Sequence, residues 1–301
     1  MRRIYLIVLL CILPTNLLAK EVIFASFNTF WLFDDKPPHM KWWSEQRGKQ
    51  GQTYNEALAL VAEAIRNTNA DVIALQEIEN IKVLKDLNNK LKTLSVEYKY
   101  LWISKGADNF TGQDVALLSK FPKFTDSNVV QSYPNEREFY LTENDIGNES
   151  DTGLSKALRV DLDINNKKLS VFVFHLKSQS GGSVSDNKRI AQASIVRRIT
   201  LPLINKNESL IVLGDLNADR GSPTLLRLRG FDDIYADLIQ PVHSKQFETD
   251  KWTYKYQGRT KQIDHILLSS DLRNKIASGK INYDHNYSTS DHFPIIITLE
   301  L

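Results

Sequence analysis

Four segments of this chain are apolar on both faces of an extended strand, so each must be covered twice. Residues 169–175 read LSVFVFH, which places Val171 and Val173 on one side and Phe172 and Phe174 on the other, because successive side chains of a strand alternate faces. Residues 210–214 (LIVLG), 263–268 (IDHILL) and 294–298 (PIIIT) do the same. Strands of this kind lie between helices or against a second sheet. Upstream, residues 22–27 form a short apolar strand, and residues 54–65 carry Leu58, Val61, Ala62 and Ile65 at helical spacing. Asn69 and Ala70 then release the chain into DVIALQE at 71–77. Strand, helix and strand in that order indicate an α/β architecture. Residues 190–204 are a further helix candidate, expected to stop at Pro202. Residues 34–52, 125–155 and 176–189 read as surface excursions, and no stretch is poor enough in apolar residues to divide the chain, so residues 20–301 are expected to form one domain.

Residues 1–19 read differently. Arg2 and Arg3 precede an apolar run at 4–13, and Leu17-Leu18-Ala19 offers a small residue before a cut at Lys20. This is the pattern of a secretory signal, with an apolar run short for a membrane span. The expectation is a secreted or periplasmic protein without stable membrane association. Cleavage would remove the only cysteine, Cys11, which excludes disulfides and thiol chemistry from the remainder. It would also leave the 38 Lys plus Arg, less Arg2 and Arg3, balanced by 36 Asp plus Glu. Overall charge therefore does not select a polyanion, and a local basic surface would have to hold one.

Several strands deliver a polar group at their C-terminal end: Asn28 after VIFASF, Glu77 after VIALQ, His175 after VFVF and Asp215 after IVLG. Strand ends are where loops expose residues from a rigid floor. Asp215 and Asn217, two apart, share a face of an extended chain, and such a pair can hold and deprotonate a water or contribute oxygen ligands to a metal. Asp264 and His292 could form a carboxylate–imidazole pair, in which the carboxylate fixes the tautomer and raises basicity. His265 competes for this role, but as the neighbour of Asp264 in a strand it should face the other way.

These segments resemble the endonuclease/exonuclease/phosphatase, DNase I-like superfamily. The resemblance runs from SFN at 26–28 through LQEIEN at 75–80, DVALLS at 114–119, HLKS at 175–178, GDLNA at 214–218 and IDHILLS at 263–269 to SDHFP at 290–294, and is nearest to secreted bacterial nucleases. It implies a four-layer α/β/β/α sandwich. It implies Asn28, Glu77 and Asp291 at a metal site, Asp215 and Asn217 on the attacking water, and His175 and His292 on the phosphoryl oxygens with Asp264 behind His292. Arg159, His175 and Asn217 would contact phosphate, and Asp114 would support His175, unless Gln113 takes that place after a one-residue shift.

The donors are oxygen-rich, so a divalent metal is expected, Mg2+ first, with Mn2+ and Ca2+ compatible with the same set. The implied activity is metal-assisted hydrolysis of phosphodiester bonds in DNA, with RNA left open. A phosphatase or phosphodiesterase for a small molecule or phospholipid is the alternative. Lys177, Lys188, Arg189, Lys251, Lys255, Arg259 and Lys261, with Trp252, Tyr254 and Tyr256 interleaved among the later ones, suit a nucleic-acid strand. KWTYKY at 251–256 equally suits an exposed strand with aromatics on one side and lysines on the other.

Overall fold

A computed structural model of the protein describes residues 20–106, 108, 110–142, 148–230, 238–239 and 252–301. Residues 1–19, where the secretory signal is expected and Cys11 falls, and Lys251 lie outside the described residues. The first half contains β1 (Glu21–Leu32), α1 (Met40–Gln46), α2 (Tyr54–Thr68), β2 (Val72–Ile78), α3 (Ile81–Thr93), β3 (Tyr100–Ile103), β4 (Asp114–Ser119), β5 (Tyr133–Leu141) and β6 (Glu149–Leu154). The second contains β7 (Ala157–Ile164), β8 (Lys167–His175), α4 (Gly182–Ile204), β9 (Leu210–Asp215), α5 (Pro223–Arg229), β10 (Leu238–Ile239), β11 (Tyr254–Tyr256), β12 (Arg259–Lys261), β13 (Asp264–Ser269), β14 (Ile276–Ile281) and β15 (Ile295–Glu300).

The strands form a six-stranded sheet in the order β14-β15-β1-β2-β4-β3 and a five-stranded sheet in the order β10-β13-β9-β8-β7, with β5-β6 and β11-β12 as separate pairs. Both large sheets are mixed: β1 runs parallel to β2 and β8 to β9, and the other pairs are antiparallel. The apolar alternation of each strand explains the packing. Val22, Phe24, Val72 and Ala74 of the six-stranded sheet share one buried cluster with Val171, Val173, Leu213 and Ile266 of the five-stranded sheet. The opposite faces meet helices: Ala25, Ile73 and Leu75 pack with Val61, Ile65 and Leu84 of α2 and α3. Phe172, Phe174 and Val212 pack with Ala193, Ile195, Val196 and Leu225 of α4 and α5. This is an α/β fold.

Local signals set the helix ends. Thr53 accepts from the Glu56 amide while the Glu56 carboxylate accepts from the Thr53 amide, a capping box at the start of α2. Asn69 closes α2 in the left-handed conformation. The expected surface excursions carry more structure than their composition announces. Residues 34–52 contain α1, residues 125–155 contain the β5-β6 hairpin, and α4 begins at Gly182 rather than near 190. Pro202 lies inside α4 and does not stop it. It removes one donor near the end of the helix, and the last turn still closes through Asn205 N–H to the Leu201 carbonyl at 2.9 Å.

Gly214 is a position where only glycine fits. Its φ is +146°, and an added Cβ would lie 1.9 Å from the Phe174 carbonyl oxygen, backbone that cannot swing aside. Gly214→Ala is therefore expected to cost on the order of 4 kcal/mol through clash and strain. Thermal and urea denaturation would check this, and a variant as stable as the parent would contradict the predicted clash.

Candidate active site

Three neighbouring strands of the five-stranded sheet deliver their last or first polar residue to one line. His175 of β8 is in register with Asp215 of β9, and Asp215 with Asp264 of β13. All three occupy strand positions whose neighbours two residues away, Val173, Leu213 and Ile266, face the other sheet, so they project into the seam between sheets. From the six-stranded sheet Asn28 meets them: its Nδ2 donates to Asp215 Oδ2 at 3.0 Å and to Glu77 Oε1 at 3.2 Å. His292, just before β15, completes the group. Its Nδ1 lies 2.8 Å from Asp264 Oδ2 and its Nε2 3.8 Å from Asp215 Oδ2, while His175 Nε2 lies 3.5 Å from the same oxygen. Asn217 is fastened beneath, its amide donating to Asp215 Oδ1 and its Nδ2 to the Leu176 carbonyl. Asp291 Oδ1 stands 3.9 Å from His292 Nε2.

Glu77 reaches this seam only because the strand is irregular. Simple alternation would put it with Ile73 and Leu75 on the helix side. Instead φ of Glu77 is +64°, and the β2-β4 register shifts between Gln76 and Ile78. The β1-β2 register shifts as well, between Asn28 and Leu32, where Phe30 and Trp31 also have positive φ. Bulges of this kind re-aim a side chain, and residues in sparsely populated conformations cluster at functional sites. The turned Glu77 accepts from the Trp31 amide at 2.8 Å.

Burial dominates the electrostatics. Asp215 is pushed up to about 7, mostly by burial and then by the charge of Asp264, against the pull of His292. Asp291 is pushed up to about 6 by burial, with the nearby Glu77 adding to the shift. His292 is lowered by burial but raised further by Asp264 and Asp215, so its value lies well above the usual imidazole range. His175 goes the other way: burial, then the charges of Lys156 and His292, hold it neutral. Its Nδ1 is buried without a protein partner.

The residues present fit a divalent cation. Asp215, Asp264 and His292 bring ligand atoms within 4.8 Å of one another. The charge of Glu77 helps to raise Asp291, which places the two acids near one another, with the Asn28 carboxamide beside Glu77. Oxygen donors of this kind suit a hard ion. Two neighbouring sets could therefore hold the ion, Asp215 with Asp264 and His292, or Asn28 with Glu77 and Asp291.

The structure does not bring Asp114 or Arg159 to this group. Asp114 faces away from the seam, accepting from Ser104 Oγ at 2.7 Å and the Gly106 amide at 3.0 Å. Gln113, one residue earlier, lines the cavity with His175 and accepts from Lys156 Nζ at 2.6 Å. Arg159 pairs with Phe172 across the β7-β8 ladder, on the face covered by α4, and its guanidinium is held by Asp161 at 2.8 Å and lies over the Phe172 ring. The period-two rule decides both cases, and it also sends His265 outward, to the Ala218 carbonyl at 2.7 Å.

Arg47 carries no motif that marks it in the sequence. It is 0% exposed, and it donates to the carbonyls of Thr29, Phe30 and Thr289 and to Gln52 Oε1. Burial lowers it to about 10, against the opposing charges of Glu77 and Asp291. It thus ties the bulge of β1 to the loop before Asp291. The only sequence signal is a cation among aromatics in WWSEQRGKQ, within a stretch rich in turn formers.

Buried acids, an imidazole pair and fit to a divalent ion at the ends of strands from two sheets define a metal-assisted phosphoesterase. The chain belongs to the Endonuclease/Exonuclease/phosphatase family, whose model matches residues 25–292. No curated protein sequence matches significantly. The fold is shared with a beta toxin of Staphylococcus aureus, solved with bound magnesium ions, at a TM-score of 0.63 and 15% identity over 92% of this chain and 99% of that one. It is shared also with a mannosyl-6-phosphatase of Bacteroides thetaiotaomicron (0.60, 15%, 92% and 98%) and with truncated TDP2 of Caenorhabditis elegans (0.57, 16%, 93% and 98%).

Arg47→Lys offers one ammonium where a planar fork meets several acceptors. Leaving those buried carbonyls unmet is expected to cost about 3 kcal/mol or more, read as a lower urea midpoint. A midpoint equal to the parent's would contradict the clamp.

Proposed function

We propose that the protein hydrolyses phosphodiester bonds of nucleic acid, DNA with RNA as a second substrate, and that it does so outside the cytoplasm after loss of residues 1–19. In this reading the two sheets and their flanking helices form the α/β/β/α order of DNase I-like proteins. The observation that carries the chemistry is the buried Asp264–His292 pair, with Asp215 and then His175 in register on the adjoining strands and Asn28, Glu77 and Asp291 alongside.

In this arrangement Asp215 accepts a proton from the attacking water, with the Asn28 and Asn217 contacts fixing its two oxygens. The water oxygen bonds to phosphorus as the ester bond opposite it breaks, the departing alkoxide takes a proton from solvent, and Asp215 returns to solvent the proton it accepted. His292, kept cationic by Asp264, donates to a nonbridging oxygen as negative charge builds, and neutral His175 donates a second hydrogen bond. A divalent metal held by Asn28, Glu77 and Asp291 would supply further charge neutralisation.

A metal-by-substrate panel tests the proposal: linear, circular and single-stranded DNA, RNA, a small phosphodiester, a phosphomonoester and phospholipid vesicles, each with Mg2+, Mn2+, Ca2+ or chelator. Nucleic acid is expected to be cut with Mg2+ and spared with chelator. Asp264→Asn should lower kcat about 10²- to 10⁴-fold, and Glu77→Ala should lose metal-dependent turnover while its circular dichroism matches the parent's. Hydrolysis of the monoester or phospholipid with no cleavage of nucleic acid would sink this choice of substrate.

A further inference from the structure

Two cavities join beside the catalytic residues. One, of about 470 Å³, is bounded by Glu77 and His175 at its inner end and by Trp31, Phe110, Lys156 and Lys177 further out. The other, of about 340 Å³, continues to Tyr133 and Arg137 at the β5-β6 hairpin, and the two share Ser155, Lys188 and Gln192. Together they make one groove leading away from the site.

The groove has more positive charge than its own acids neutralise. Lys156 is matched by Asp108 at 3.1 Å and Arg137 by Asp151 at 2.6 Å. Among the described residues no carboxylate lies within 4.0 Å of Lys177 or Lys188; Lys177 reaches only Ser178 Oγ, and Lys188 lies over the Tyr140 ring. Burial lowers Lys177, and the charges that lower it further are all cations: Lys188, Arg189 and Lys156. A cluster of this sign, half-buried beside a phosphoester site, is stabilised by an anion additional to the one being cleaved.

One wall is aromatic. Trp31 stacks on Trp42 at 5.3 Å and 28°, and Trp42 meets Phe110 at 5.7 Å. Phe110 is 79% exposed, although its amide is held by Asp108, the same residue that pairs with Lys156. An exposed ring fastened beside a lysine groove offers a stacking face.

We propose that this groove holds a single nucleic-acid strand beyond the scissile bond, with Lys177 and Lys188 on the neighbouring phosphate and Phe110, backed by Trp42, stacking a base. The proposal rests on the nuclease reading above and adds where the strand lies and what selects it. A phosphomonoester would fill the catalytic end and leave the lysines unmatched. A duplex keeps its bases paired and away from Phe110. A membrane surface calls for a contiguous apolar patch, whereas this rim alternates one exposed ring with lysines. Residues 252–256 of the KWTYKY segment do not line the groove: Tyr254 packs on His292 and Tyr256 on Tyr287.

The test is a length series of single-stranded oligonucleotides, from dinucleotide to about ten nucleotides, cleaved with Mg2+, alongside a duplex of the longest. For the parent, kcat/KM should rise about tenfold or more with length and favour the single strand over the duplex. The Lys177→Ala, Lys188→Ala double variant should lose most of that gain through KM, and the salt dependence of log KM should become shallower by about 0.7 for each phosphate the lysines no longer hold. Phe110→Ala, at an exposed position that leaves the fold intact, should lose part of the gain without changing the salt slope. Lys188→Gln gives the same readout if the double variant does not fold. Parent-like length dependence in all these variants would overturn the groove while leaving the nuclease reading standing. If the parent hydrolyses a small phosphodiester but no oligonucleotide of any length, the nuclease reading itself fails and the groove with it. If Phe110→Ala abolishes binding to phosphatidylcholine vesicles and leaves the length series as in the parent, the wall is a lipid contact and the proposal is overturned.

Discussion

The side chain of Asn28 joins the two sheets at the point where the chemistry is placed. Its single amide nitrogen donates to Glu77 in its own sheet and to Asp215 in the other, while its Oδ1 accepts from the Phe30 amide and so turns the chain into the β1 bulge. A carboxylate here would bring a third negative charge against two acids; a carboxamide brings a donor to both. Ser290 Oγ donates to the Asn28 carbonyl and accepts from the His292 amide, which couples the same strand to the loop carrying His292. The apolar seam beneath, with Phe24, Val173 and Leu213 fully buried, keeps water from the back of the site. Interactions among the charges above it are correspondingly strong.

Those charges are not balanced by the side chains alone. Glu77, Asp215, Asp264 and Asp291 share the site with one cationic imidazole and one buried guanidinium. Arg47 cannot approach substrate, because its donors are spent on backbone carbonyls and Gln52. It acts as a fixed positive charge behind Glu77 and Asp291, limiting their repulsion without neutralising both. The excess of acid that remains is what a divalent cation would answer. Holding two segments, the bulge at 29–31 and the loop at 288–289, by one guanidinium also explains why a stretch with the composition of a loop must be ordered.

The strands were legible because residues apolar on both faces admit few arrangements. The same alternation that revealed them also placed Asp264 inward and His265 outward. It failed where the strands depart from period two. Glu77 reaches the seam through a bulge and a positive φ, neither of which a count of alternating residues can register; its place at the end of the apolar run VIALQ, together with the family pattern, marked it instead. Arg159 and Asp114 show the opposite failure, since a motif match located the strands but chose the residue on the wrong face of each. Arg47 and the short helix before it had no periodic signal, and the partners of Arg47 lie as far along the chain as Thr289. The early start of α4 was hidden by Gly181, Gly182 and serines, which resemble a loop until Gly181, at φ +111°, is seen to open the helix.

The N-terminal half of α4 links the catalytic residues to the groove. Arg189 donates to the carbonyls of Lys177 and Ser178, and Gln192 accepts from the Lys177 amide, so the segment leaving His175 is fastened to a helix packed on the five-stranded sheet. Lys177 is consequently positioned by the same packing that positions His175, two residues before it. Lys188 comes from that helix as well. Loops usually choose substrate with less rigidity than strands bring to catalysis, but here the two lysines inherit the order of the core. Changes confined to the Phe110 rim can then alter which ester is held without disturbing how it is cleaved, because that rim touches the site through Trp31 and Trp42 rather than through His175, Asp215, Asp264 or His292.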